Sequence, residues 1–282
     1  MEEELNIPPI LDTTSALAML DLLTDVDIQI VQRHQSAGHV VLAHTEISTT
    51  AAAQIASGGT KRIYSAEQAC PHSVLCLPNP IDTPQTTRDK WRTTLHEPYN
   101  TGLVRSLKIP CLPVEEIVTV QVDQVHFPAI LMSDYRHLPL TVLDHKNPKR
   151  NNDVRFFRKG SLPTIDTVAE MVHTVVQDCT TAANSNLVLE RDSVNLCQQD
   201  GHLRLFLNDL GTLEVNPEIS EADRNELTRT YVKWAIFALM KSLSEEEYQD
   251  QKGFWDIVND YRNIDLYITG VIQADESRIN KE

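Results

Sequence analysis

The feature that most constrains the fold is a change of hydrophobic rhythm partway along the chain. Between His39 and Met132 the apolar residues come in short runs bounded by turn residues. These are His39-Val-Val-Leu-Ala-His44, Ala51 to Ala56, Arg62-Ile-Tyr-Ser65, Ser73-Val-Leu-Cys-Leu77, Ile117-Val-Thr-Val-Gln-Val122 and Pro128-Ala-Ile-Leu-Met132. Runs of this length, alternating or fully apolar, read as strands. From Pro163 onward the spacing is helical, over Pro163 to Ala183, Ser220 to Leu243 and 254–272, and Ser220 with Asp223 reads as a capping box. Two short strands, Asn186 to Leu189 and Leu203 to Leu207, flank a turn at Asp200-Gly201. In the earlier half, residues 14–34 read as one amphipathic helix capped by Thr13-Thr14. Thr86 to Leu107 reads as another, kinked at Pro98. Strands before helices, with a polar stretch between, predict an α+β chain with two lobes. The expected division is 1–50 as an N-terminal helical extension, 51–135 as the strand-rich lobe, 136–162 as a basic linker and 163–282 as a short helical lobe.

Composition narrows the function. With 41% apolar residues the chain has enough to build a core. Its net charge of −15 argues against general nucleic-acid binding, which needs a broad basic face. No apolar run is long enough for a transmembrane helix, and Met1-Glu2-Glu3-Glu4 is acidic where a secretory signal is basic. Five cysteines at scattered spacings, without C-x-x-C, fit reduced thiols in a cytoplasmic compartment. The ten histidines show no metal-ligand spacing, so no zinc framework is expected.

Three segments in order carry the chemistry. Gly58-Gly59-Thr60-Lys61-Arg62-Ile63-Tyr64 is a glycine turn entering a strand. Thr94-Leu95-His96-Glu97 sits on a helix after the strand Val74 to Leu77. Leu187-Val-Leu-Glu-Arg-Asp-Ser-Val-Asn195 precedes Gly201-His-Leu-Arg-Leu-Phe-Leu-Asn-Asp-Leu-Gly211. Glycines let a backbone approach phosphates closely. Phosphoryl transfer needs a lysine on the phosphates and oxygen ligands on magnesium more than it needs covalent chemistry. Taken together, over roughly residues 50–245, these segments resemble the skeleton of the protein-kinase-like superfamily. Its degenerate motifs are most similar to divergent kinases and pseudokinases among secreted bacterial effectors.

That resemblance implies a bilobal kinase-like fold binding ATP and Mg between the lobes. Gly58, Gly59, Lys61 and Glu97 would hold the nucleotide, and Asn195 and Asp209 the metal. The adenine edge would meet the backbone of Ser133-Asp134-Tyr135. Two departures stand out. The third strand carries Cys76 where family members carry the anchoring lysine, and Lys61 in the glycine turn replaces it, as in the with-no-lysine kinases. The catalytic loop offers Glu190 in the register of the base and Asp192 two residues later. Either carboxylate could accept a hydroxyl proton.

Between Lys146 and Lys159 lie Lys146, Lys149, Arg150, Arg155, Arg158 and Lys159 with one acid, Asp153. Such a cluster suits an inositol polyphosphate or other polyanion. The expected activity is therefore transfer of the ATP γ-phosphoryl group to a protein substrate or small alcohol. Three alternatives remain open: a pseudokinase scaffold, an adenylyl transferase on the same fold, and an unrelated α+β interaction protein. The expected location is cytoplasmic, including the host cytosol if the chain is a secreted effector.

Overall fold

A computed structural model describes residues 10–143, 164–243 and 264–279. The chain is α+β, as its hydrophobic rhythm predicts. It divides into two compact units. The first comprises Met1–Leu103, Leu112–Leu138 and Asp209–Thr212, and the second Val104–Cys111, Pro139–Asn208 and Leu213–Glu282.

The first unit is built on an antiparallel sheet. Its strands are β1 (Ile10–Leu11), β2 (His39–Leu42), β3 (Thr45–Ser48), β4 (Gln54–Ser57), β5 (Lys61–Ser65), β6 (Ser73–Pro78), β7 (Val114–Val122) and β8 (Val125–Ser133). They run in the order β3-β2-β7-β8-β6-β5-β4, with β1 added against β7. All six residues of β6 are buried, which explains its unbroken apolar run. Pro128 lies inside β8, opposite Thr119 of β7. A strand residue aims its N–H and C=O to the same side, and the Pro128 carbonyl accepts from the Trp91 indole N–H at 2.7 Å. The missing N–H therefore removes no bond to β7.

Residues 14–34 are not one helix. α1 (Thr13–Leu22) is capped by Asp12, whose Oδ1 accepts from Ser15 N–H at 2.6 Å, and α2 (Asp25–Ala37) starts afresh after Thr24. Thr24 and Asp27 form a reciprocal capping box, so polar side chains satisfy the first N–H groups of α2 and stop α1 from running on. Likewise Thr86 to Leu107 is two helices, α3 (Pro84–Thr94) and α4 (Glu97–Ser106). Pro98 does not kink a continuous helix. It occupies the first turn of α4, where a missing N–H costs nothing.

The second unit contains α5 (Ile165–Asn184), α6 (Glu221–Leu243) and α7 (Ile264–Ile279) with small strand pairs. β9 (Thr141–Val142) and β12 (His202–Leu207) flank β11 (Val194–Gln199), and β10 (Leu187–Val188) pairs with β13 (Glu214–Val215). The hairpin partner of β12 is thus β11, not the segment 186–189. Asp200 (φ 51°) and Gly201 (φ 81°) both take left-handed backbone, which the two-residue turn requires. Of the Ser220–Asp223 capping box one half is seen, Asp223 N–H donating to Ser220 Oγ at 3.2 Å, and Ser220 Oγ in turn donates to Asp223 Oδ2 at 2.6 Å. Asp178 on α5 is buried and accepts from Arg204 at 2.8 and 2.9 Å and from Leu205 N–H at 3.1 Å. That charge pair keys α5 to β12.

Candidate functional site

The first unit brings three sequence-predicted residues together. Lys61 is the first residue of β5, directly after the Gly58-Gly59-Thr60 turn, and Glu97 opens α4. The Lys61 ammonium donates to Glu97 Oε1 and to Asp209 Oδ1, the latter at 2.9 Å. The Lys61 and Glu97 side chains are 12% and 2% exposed, whereas that of Asp209 is 51% exposed. A buried pair thus carries a carboxylate that reaches solvent.

Local packing explains how Asp209 arrives there. It takes a left-handed backbone (φ 54°), as a turn residue would, but its side chain goes to Lys61. The next residue, Leu210, is buried, and its carbonyl accepts from Asn100 Nδ2 at 2.7 Å. Gly211 then passes so close to α3 that a Cβ would sit 3.0 Å from the Thr93 carbonyl oxygen. The Asp-Leu-Gly triplet is therefore held by α3 and by the helix that presents Glu97. Asn100 is the positioning residue that motif reading missed. Its spacing of three from Glu97 is a visible signal, because it puts both on one face of α4.

The charges respond to one another. Burial pushes the Glu97 carboxyl up to about 7 against the pull of Lys61. Burial likewise works against the Lys61 ammonium, but Glu97 and Asp209 hold it above the ordinary lysine value. Burial would also raise the Asp209 carboxyl, yet Lys61 keeps it below the usual carboxylate range. Asp209 is therefore ionised at neutral pH, as a magnesium ligand must be. Cys76 lies on β6 within the field of Lys61, Glu97 and Asp209. Its thiol is fully buried, 3.0 Å from the Met132 sulfur, and is pushed up to about 12. It is an inert neighbour of the lysine and not a nucleophile.

The glycine turn gives a different picture. Gly58 N–H donates to Lys61 O at 2.9 Å and closes the β4–β5 hairpin. Neither Gly58 nor Gly59 has a positive φ, and a Cβ would meet nothing within 4 Å at Gly59. The turn itself does not demand glycine there, so the open space above it is what the residue type leaves. The Gly59 carbonyl accepts from Lys90 Nζ at 2.9 Å. Two of the backbone donors expected to meet an adenine edge are committed. Ser133 N–H donates to Pro113 O at 3.0 Å and Asp134 N–H to His72 O at 2.8 Å.

Asn195 belongs to the second unit. It is half-buried in β11, and its Nδ2 donates to Asn208 Oδ1 at 2.5 Å. Asn208 is the residue that precedes Asp209 in the chain. Glu190 immediately precedes the short turn Arg191–Ser193, Asp192 lies within it, and both are exposed. Tyr231 on α6 holds the strand before that turn, donating to Leu187 O at 2.6 Å and accepting from Leu189 N–H at 3.1 Å. The Arg191 guanidinium lies 5.7 Å from the Phe237 ring centroid. Lys146, Lys149, Arg150, Arg155, Arg158 and Lys159 lie outside the described residues. Among the described residues, no helix is long and apolar enough to cross a membrane.

A scan against protein-family models and a search of curated proteins each find no match. Among solved structures, the chain is similar to one described as "WaaP in complex with acyl carrier protein". The identity is 9% and the TM-score 0.41, over 88% of this chain and 92% of that chain.

Proposed function

We propose that this chain is a kinase-like phosphotransferase that moves the ATP γ-phosphoryl group to a hydroxyl of a protein or small molecule. The observation that carries this reading is the Lys61–Glu97–Asp209 cluster, a buried lysine braced by one carboxylate beside a second that reaches solvent. Phosphoryl transfer asks for little else beyond a metal–triphosphate complex held in line. The donor chemistry fits that demand: Asp209 offers ionised oxygen, a hard ligand of the kind magnesium takes. When bound, Mg²⁺ and ATP would supply the charge neutralisation and the transferable group.

The chain's own residues divide the remaining work. Lys61 neutralises phosphate charge, and Glu97 fixes where its ammonium points. Asn100 and the close packing of Gly211 hold Asp209 in place. Glu190 or Asp192 takes the hydroxyl proton, since both carboxylates are exposed on the loop before β11.

The test uses wild-type protein and Asp209→Asn, with ATP labelled at the γ- or the α-phosphorus and a mixture of protein and small-alcohol acceptors. The expected result is Mg-dependent γ-label on an acceptor, lost in the variant. Transfer of α-label would replace the reading with adenylyl transfer. Nucleotide-dependent stabilisation without any transfer would replace it with a pseudokinase.

A further inference from the structure

A second cluster lies elsewhere in the first unit. Glu67, His72 and His137 each offer one ligand atom, and the three atoms lie within 4.8 Å of one another. Glu67 is in the turn after β5, His72 immediately precedes β6, and His137 ends the short turn Tyr135–His137 after β8. All three side chains are exposed. The backbone around them is fixed: His72 N–H donates to Glu67 Oε2 at 2.8 Å, Asp134 N–H to His72 O at 2.8 Å, and His137 N–H to Asp134 O at 2.9 Å. The two imidazole centroids are 4.4 Å apart, and Glu67 Oε1 is 3.9 Å from His72 Nδ1.

His72 also has a φ of 60°, a left-handed backbone that glycine or asparagine adopts at lower cost. The strained residue directs its imidazole at a carboxylate and a second imidazole. Two imidazoles and one carboxylate suit zinc-class ions, whereas magnesium and calcium prefer oxygen throughout. Ligand bonds of about 2.1 Å in a tetrahedral shell put ligand atoms roughly 3.4 Å apart. Small rotations of exposed side chains reach that spacing from the separations seen.

We propose that Glu67, His72 and His137 form a three-ligand site for a zinc-class divalent ion, with water completing the shell. A bound ion would clamp the turn at residues 66–72 to the segment after β8. The site has no local signature, because Glu67 and His72 are five residues apart, a spacing of no common metal motif, and His137 follows 65 residues later. It is independent of the phosphotransfer reading, and its test requires no nucleotide.

The test titrates the full chain with Zn²⁺ by calorimetry, with Mg²⁺ as control, and with Co²⁺ by visible absorption. One equivalent of Zn²⁺ should bind while Mg²⁺ does not. The Co²⁺ spectrum should show tetrahedral nitrogen–oxygen ligation without a thiolate charge-transfer band. His72→Asn, which keeps the left-handed backbone cheap, and His137→Gln should each weaken binding at least about tenfold. Glu67→Gln, which retains an acceptor for His72 N–H, should weaken it too. All three variants should match the wild-type melting temperature without metal. Histidine ring resonances of the wild-type protein give a readout free of variants: two rings should shift at one equivalent. Absence of binding, full-affinity binding by either histidine variant, a thiolate band, or a different number of shifting rings would each overturn the site.

Discussion

The proposed role of Lys61 can be tested by transplanting the lysine to β6. Lys61→Met removes the ammonium that we place on the phosphates and leaves Glu97 buried beside an apolar side chain. A hydrogen bond to a charged group is worth about 1.5–3 kcal/mol, and tenfold in affinity is about 1.4 kcal/mol. The variant should therefore bind Mg·ATP about 10- to 150-fold more weakly. Cys76 on β6 is fully buried and feels Lys61, Glu97 and Asp209 together, so a lysine grown from that position has Glu97 within its field. Adding Cys76→Lys to Lys61→Met should recover at least about a tenfold part of the loss in affinity. The larger side chain beside Met132 should cost about 1–3 kcal/mol of folding stability. Calorimetry gives the affinity, and urea denaturation of each variant gives the stability. Unchanged binding by Lys61→Met would refute the lysine's role. A folded double variant that binds no better than the single one would refute the geometry.

Other consequences follow from the same packing. Cys76, Cys111, Cys179 and Cys197 are buried, with Cys111 pushed up to about 11 and Cys197 to about 12 by burial, while Cys70 is half-buried. At mildly alkaline pH a thiol reagent should therefore modify Cys70 alone in native protein and all five cysteines in denaturant, and fast labelling of Cys179 would contradict this. Those raised thiols keep protons that the unfolded chain releases above its ordinary value of 9.0, so folding stability should fall as pH climbs past that point. A denaturation midpoint that rises there would reverse the sign of that linkage. Asp178→Ala strands the Arg204 guanidinium and should cost roughly 3 kcal/mol. Asp178→Leu combined with Arg204→Met should be distinctly less damaging, and equal damage would show that the pair is not the cause.

Much of the first unit was legible because its signals are local. The Gly58-Gly59 turn, the apolar run of β6 and the alternation of β7 each name their own conformation, and together they place Lys61 at the head of β5. Asp200-Gly201 announced its turn equally well, though not which strand leads into it. What escaped depends on contacts that spacing cannot show. The periodicity of residues 14–34 continues across Leu23 and Thr24, but the pairing of Thr24 with Asp27 and the Arg88 bonds to Leu23 O and Asp25 mark a break between two helices. Pro98 drew attention to a kink, although the chain breaks earlier and uses the proline to start α4. The strand 194–199 was hidden because its half-polar sequence, Val-Asn-Leu-Cys-Gln-Gln, gains its neighbours from β12, β9 and α6, which are distant in the sequence or follow it. At the site, residue types pointed to Lys61, Glu97 and Asp209. The supporting Asn100 bond and the tight Gly211 approach appear only in three dimensions.

The proposed function requires that Asp209 hold magnesium for a nucleotide that Lys61 contacts. The most direct measurement is calorimetric titration of the wild-type chain and Asp209→Asn with ATP, with and without Mg²⁺. Wild-type protein should bind ATP much more tightly with Mg²⁺ than without it, and Asp209→Asn should lose that difference while remaining folded. A folded wild-type chain that binds no nucleotide, or whose affinity is indifferent to Mg²⁺, would contradict it.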